Sequence, residues 1–114
     1  MNLEQIHRVY FIGVGGIGMS ALARYFAFIN KTVAGYDKTE SPLTQELSNS
    51  GIAIHYKDNL EQIPKEFKIP ENTLIVYTPA VPSSHSEYQY FLANGFVIKK
   101  RSEVLGLITK DSYC

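Results

Sequence analysis

Apolar positions along the chain follow two alternating rhythms. Short continuous runs rich in β-branched and aromatic residues are bounded by turn residues, and between them apolar residues recur at helical spacing. Val9–Ile12 is the first run and predicts a buried strand. From Ile17 to about Ile29, the apolar residues Ile17, Ala21, Leu22, Tyr25 and Ile29 form a helical stripe. Thr32–Tyr36 predicts a second strand. Ser41 and Pro42 suit an N-cap and a first helical residue. The helix that follows, "PLTQELSNS", stops at Gly51, a glycine just past a helix end. Ile52–His55 predicts a third, short strand. Leu60–Phe67 supports only a turn or short helix, because Pro64 interrupts it. Thr73–Tyr77, "TLIVY", is the strongest strand pattern, and Pro79 and Pro82 bar its continuation. Glu87 to about Ala93 reads as a helix closed by Asn94-Gly95. Phe96–Ile98 is a fifth strand and Arg101–Ile108 a last helix.

Strands alternating with helices predict an α/β fold. The expected form is a Rossmann-like three-layer domain with a mainly parallel five-stranded sheet in the order 3-2-1-4-5. Ligands of such sheets bind at the carboxyl ends of the strands, where the strand order reverses. The predicted crevice lies above strands one and four. Gly13–Gly18 and Thr78–Ser83 meet there.

Composition narrows the class. A chain of 114 residues fits one domain, residues 1–114, and buries roughly two-thirds of its unfolded surface. Eleven basic residues balance eleven acidic ones, so nothing in the charge calls for nucleic acid or an anionic membrane. No apolar run approaches the length of a membrane span, and no secretory leader pattern opens the chain. The single cysteine, Cys114, allows neither an internal disulfide nor a cysteine-based metal site. A cytoplasmic protein is the simplest expectation.

Gly13, Gly15 and Gly18 match G-x-G-x-x-G between a predicted strand and a predicted helix. Gly13 allows the tight turn. Gly15 lets backbone approach a pyrophosphate, and Gly18 permits close packing of helix on sheet. The helix N-terminus then points unpaired N–H groups at the anion. Asp37 follows the second strand, 19 residues after Gly18, where a ribose-binding acid belongs. A pyrophosphate and a ribose are thereby implied. NAD fits, and so does a UDP-sugar, and spacing does not choose between them. No paired carboxylates, Ser/His/Asp set or metal cluster stands out. Tyr88, Tyr90, Phe91 and Phe96 read as packing residues, and His85 as a solvent-facing residue at a helix start.

The stretches "FIGVGGIGMSALARYF", "VAGYDKTESPLTQELSNSGI", "LIVYTPAVPSSHSE" and "KKRSEVLG" together resemble the N-terminal domain of the Mur ligases, the ATP-dependent amino-acid ligases of peptidoglycan synthesis. The resemblance covers nearly the whole chain. It implies a domain that holds UDP-N-acetylmuramic acid, not NAD, in an enzyme that joins L-alanine to that substrate. Gly15, Gly16, Ile17 and Gly18 would cradle the diphosphate, and Asp37 would take ribose hydroxyls. Thr78, Pro79 and Ala80 would line the far side of the crevice. The alternative is an NAD-binding domain of a dehydrogenase or regulatory sensor. A sister ligase acting on a recycled peptide is disfavoured, because its glycine loop usually reads differently.

Two positions depart from the family pattern. The family's Gly-His after strand three falls at Lys57-Asp58, so His55 reads as a strand-end histidine. The family's Asn-Pro-Glu appears as His85-Ser86-Glu87. In the family, ATP and Mg²⁺ activate the muramyl carboxylate as an acyl phosphate, which the amine of L-alanine then attacks. That chemistry needs a P-loop, and no Gly-Lys dipeptide occurs in these 114 residues. The expectation is therefore a fragment lacking the ATP-binding and C-terminal domains, with no catalysis and no cofactor of its own.

Overall fold

The structure is a computed structural model. It describes residues 5–14, 17–37, 40–56, 61, 63, 65–78, 85–104 and 106, with Ile17 by its backbone alone. The elements in chain order are β1 (Arg8–Ile12), α1 (Ile17–Phe28), β2 (Thr32–Tyr36), α2 (Pro42–Asn49), β3 (Ala53–His55), a 3-10 turn (Lys65–Lys68), β4 (Thr73–Tyr77), α3 (Ser86–Ala93) and β5 (Val97–Lys100). Residues 101–104 begin a further helical segment. The five strands form one sheet in the order β3-β2-β1-β4-β5, and every pairing is parallel. The predicted fold class and strand order hold.

Alternation along the strands divides the core in two. Val9 and Phe11 of β1, Val33 of β2 and Leu74 and Val76 of β4 pack with α1, with Leu47 of α2 and with Val104. Tyr10, Ile12, Ala34, Tyr36 and Ile75 face the opposite side, against Phe67 of the 3-10 turn and Phe91 of α3. Tyr88 and Tyr90 pack against this second cluster, and Phe96 belongs to it, as expected. Burying each large apolar side chain contributes on the order of 1.5–3 kcal/mol.

Three local expectations need correction. The buried stripe of α1 is Met19, Leu22, Ala23 and Phe26, whereas Ala21 is exposed and Tyr25 and Ile29 are only partly buried. The two stripes are adjacent lines on one helix, and the line carrying Met19 and Phe26 puts the larger volume inside. The fifth strand starts at Val97 and runs to Lys100. Phe96 instead turns its ring edge-on to Phe91, at 4.8 Å. The third strand likewise starts one residue late, at Ala53.

Helix α2 begins as its sequence requires. Ser41 Oγ accepts the Thr44 N–H at 3.3 Å, and Thr44 Oγ1 accepts the Ser41 N–H at 2.8 Å. This reciprocal cap satisfies two otherwise orphaned donors. Past its end, Gly51 takes φ +94°, the left-handed conformation that glycine tolerates best.

One polar cluster crosses the second core. The Tyr10 hydroxyl donates to Glu87 Oε1 at 2.5 Å, and His55 Nε2 lies 2.7 Å from Glu87 Oε2. The Tyr10 oxygen is also 3.0 Å from that nitrogen. Tyr10 and Glu87 are fully buried. An ionised carboxylate only accepts, so with Glu87 ionised the geometry assigns a proton to His55 Nε2. The cluster ties α3 to the central strand and to the edge strand β3. Tyr10→Phe deprives a buried carboxylate of a donor while leaving the ring's packing intact. It should destabilise the chain by about 1–3 kcal/mol in urea unfolding.

Gly35 lies where β2 passes under the turn leaving β1. A Cβ there would sit 3.0 Å from the Phe11 carbonyl oxygen and 3.1 Å from Val14 Cβ. The nearest of these is backbone and has little room to yield. Gly35→Ala should cost about 1–3 kcal/mol by overpacking, measured as a lowered unfolding midpoint with an unchanged slope.

Candidate functional site

The register of the sheet brings the strand ends together. Ile12 pairs with Tyr36 on one side and Tyr77 on the other, and Tyr36 pairs with His55. The next residues, Gly13, Asp37, Thr78 and Tyr56, therefore leave the sheet along one carboxyl edge. This is the edge where open parallel sheets bind ligands. Gly13 and Asp37 are neighbours across β1 and β2, and Gly13 and Thr78 across β1 and β4.

The turn leaving β1 is fastened to β2. The N–H groups of Gly13 and Val14 both donate to the Tyr36 carbonyl, at 2.8 and 3.0 Å. Gly13 takes φ +92°, which fits the tight turn expected of it. Val14 is buried in the first core and rests over Gly35. Gly15 and Gly16 lie outside the described residues. The backbone of Ile17 opens α1, and Gly18 is its second residue. The first turn of α1 contains no acidic side chain. A helix N-terminus carries N–H groups without intrahelical partners and the positive end of the helix dipole, and that of α1 lies at this edge.

A side chain from the far end of the chain crowds Gly18. Among the described residues, the atoms nearest to where a Cβ on Gly18 would lie belong to Arg101, not to the sheet. They are Cδ at 2.8 Å, Nη1 at 2.9 Å and Nε at 3.0 Å. Arg101 follows β5 directly. Its backbone is set by Lys100, whose N–H donates to Glu103 Oε1 at 3.0 Å, and by Val104, which is fully buried against α1. Side chain 101 itself remains exposed. A guanidinium thus lies against the first turn of α1.

Asp37 stands at the end of β2, half-buried, and its N–H donates to the His55 carbonyl at 3.1 Å. Thr78 is half-buried beyond β4, and Pro79 and Ala80 lie outside the described residues. His85 departs from expectation, being 8% exposed with its ring edge-on to Tyr36 at 4.6 Å. The Tyr36 ring also lies 5.7 Å from that of His55. The histidine at the start of α3 is therefore covered and not solvent-facing. His55 is a strand-end residue, as read from the sequence, but it is held by Glu87 and not simply solvated. Reading the sequence missed the role of Gly35 and the approach of Arg101 to Gly18. The signal for the second was the arginine opening "RSEVLG", and nothing local connects it to the glycine loop.

Among the described residues, no group of three or more His, Cys, Asp or Glu side chains is placed to hold a metal ion. None of their helices is long and apolar enough to cross a membrane.

Comparison with known proteins gives a consistent result. The chain is 67% identical over all 114 residues to the UDP-N-acetylmuramate–L-alanine ligase of Flavobacterium psychrophilum, and covers 25% of that protein. It is 57% identical over 112 residues to the enzyme of the same name from Parabacteroides distasonis, matching 98% of this chain and 24% of that one. It therefore spans about a quarter of the length of the relatives it matches. The crystal structure of UDP-N-acetylmuramate-alanine ligase MurC from Thermotoga maritima superposes with a TM-score of 0.81 at 26% identity, over 91% of this chain and 23% of that one. Residues 8–113 match the Mur ligase family, catalytic domain. With the parallel sheet, the glycine turn at its carboxyl edge and this match in hand, the chain belongs to the Mur ligase family.

Proposed function

We propose that this chain is the UDP-N-acetylmuramate-holding part of a ligase that joins L-alanine to that substrate in peptidoglycan synthesis. The observation that carries this reading is identity of 67% along the whole chain with a ligase named for that reaction. The geometry is compatible with it. The backbone of Gly15, Gly16, Ile17 and Gly18 cradles the diphosphate at the N-terminus of α1. Asp37 accepts from ribose hydroxyls, as its place one residue past β2 allows. Thr78, Pro79 and Ala80 line the opposite wall of the crevice, beyond β4.

This assignment divides the labour of the reaction. Binding energy gathered on the nucleotide handle positions the muramyl carboxylate for chemistry elsewhere. ATP and Mg²⁺ supply the phosphoryl group and neutralise its charge during carboxylate activation. Residues outside these 114 hold them, since the chain has no Gly-Lys dipeptide and so no P-loop. L-Alanine is bound there too. The parent enzyme is cytoplasmic, and the chain by itself binds without catalysing.

Calorimetric titration of the chain with UDP-N-acetylmuramate and with NADH separates this reading from a dinucleotide site. Saturable heat with the UDP-sugar is expected, and weak affinity suffices, because further contacts belong to the rest of the enzyme. Saturable NADH binding with no response to the UDP-sugar overturns the proposal. A second expectation concerns the cradle. Gly15→Asp places a carboxylate where the diphosphate sits, and should reduce UDP affinity by at least about 10-fold through like-charge repulsion and lost N–H contacts. Far-ultraviolet circular dichroism should be unchanged. Normal UDP binding by this variant would show the phosphates lying elsewhere.

A further inference from the structure

We infer that Arg101 is a diphosphate-contacting residue of this site, and that position 18 is glycine so that the arginine side chain can reach across α1. The inference rests on the proposed UDP-sugar site and adds to it a residue from the far end of the chain. A methyl at position 18 would fall within 3.0 Å of three Arg101 atoms, Cδ, Nη1 and Nε. The side chain therefore lies flat against the second residue of α1, beside the proposed phosphate cradle.

Three features argue that this placement serves an anion. First, a cation beside the positive end of a helix is electrostatically unfavourable by itself, and the first turn of α1 offers no acidic side chain to offset it. Second, the ion pairs Arg24–Glu46 and His55–Glu87 lie elsewhere and leave Arg101 unengaged. Third, the arginine backbone is anchored from both sides, by the Lys100–Glu103 cap and by buried Val104, while the side chain stays exposed. Anchored backbone with an accessible guanidinium is the arrangement that presents a planar fork of donors to phosphate oxygens at small entropic cost. A purely structural arginine would instead be expected to lie toward a helix C-terminus or a carboxylate.

The two positions make a double-mutant cycle, read by calorimetry with UDP and with uridine as probes. Arg101→Gln should weaken UDP binding about 10- to 100-fold, the usual range for a hydrogen-bonded charge, and leave uridine binding unchanged. Arg101→Lys keeps the charge without the fork and should give an intermediate affinity. Gly18→Ala meets a flexible side chain, so it should displace the arginine without unfolding α1. Its loss of UDP affinity should largely vanish in the Arg101→Gln background. Undiminished UDP binding by Arg101→Gln overturns the inference while leaving the UDP-sugar site standing. Equal losses for UDP and uridine overturn it too, because the arginine would then act on the fold or on the base. Failure of the unaltered chain to bind UDP at all removes the site and this residue's role together. Thermal unfolding of each variant shows that the losses come from folded protein.

Discussion

Because β1 is hydrogen-bonded in parallel to β2 on one side and to β4 on the other, four strand ends are delivered to a single edge. Parallel neighbours require crossovers, and the crossovers leave β1 and β4 toward opposite faces. Helices α1 and α2 cover one face, while α3 and the 3-10 turn cover the other. The carboxyl edge above β1 is left between them. This pairing positions Gly13 by the end of β1, Asp37 by the end of β2, and Thr78 by the end of β4. Arg101 arrives by the same logic, since Tyr77 pairs with Lys100 and the next residue leaves the sheet beside them.

Within that frame, small contacts decide how accurately the edge is shaped. The Tyr36 carbonyl accepts two N–H groups of the glycine turn, and the very next residue is Asp37. One peptide thus joins the proposed phosphate cradle to the proposed ribose ligand. Gly35 makes that junction possible by leaving room for Val14. Below it, the Tyr10–Glu87–His55 cluster fixes the end of β3, and the His55 carbonyl in turn holds the Asp37 N–H. A buried carboxylate on α3 is therefore linked, through one histidine, to the loop that carries the candidate ribose acid. Burying such a group is costly unless its partners are in place. The arrangement thus favours one relative position of α3, β1 and β3 over neighbouring ones.

Much of this was legible in the chain. The runs Thr32–Tyr36 and Thr73–Tyr77 are strands end to end, and the cap at Ser41 and the stop at Gly51 fall where turn chemistry puts them. These features are local, and local periodicity reports them. What stayed hidden depends on contacts between distant positions. Tyr10 and Glu87 are 77 residues apart, and Tyr10 and His55 are 45 apart. No pattern in either neighbourhood announces the pair. His85 looked solvated because it opens a helix, yet the fold covers it with Tyr36. In α1, two adjacent stripes were both apolar enough to face inward, and only packing against the sheet selects Met19 and Phe26. At Gly18 the approach of Arg101 was equally hidden, because it joins positions 83 residues apart.

The approach of Arg101 to Gly18 bears on why a glycine fingerprint is ambiguous to begin with. A strand, a tight turn and a helix N-terminus provide N–H groups and a dipole, and any pyrophosphate satisfies them equally. Nothing in that handle distinguishes a dinucleotide from a nucleotide-sugar. Discrimination has to come from groups that the rest of the fold carries to the same place, which are specific to a family where the turn is not. In this chain one such group is an arginine delivered by the end of β5 against a glycine that makes way for it. A site whose substrate must be held by its diphosphate while chemistry proceeds at a remote carboxylate gains from a second, directional grip. On the proposed reading, the third glycine of the fingerprint serves the anion twice, through its own backbone and through the side chain it admits.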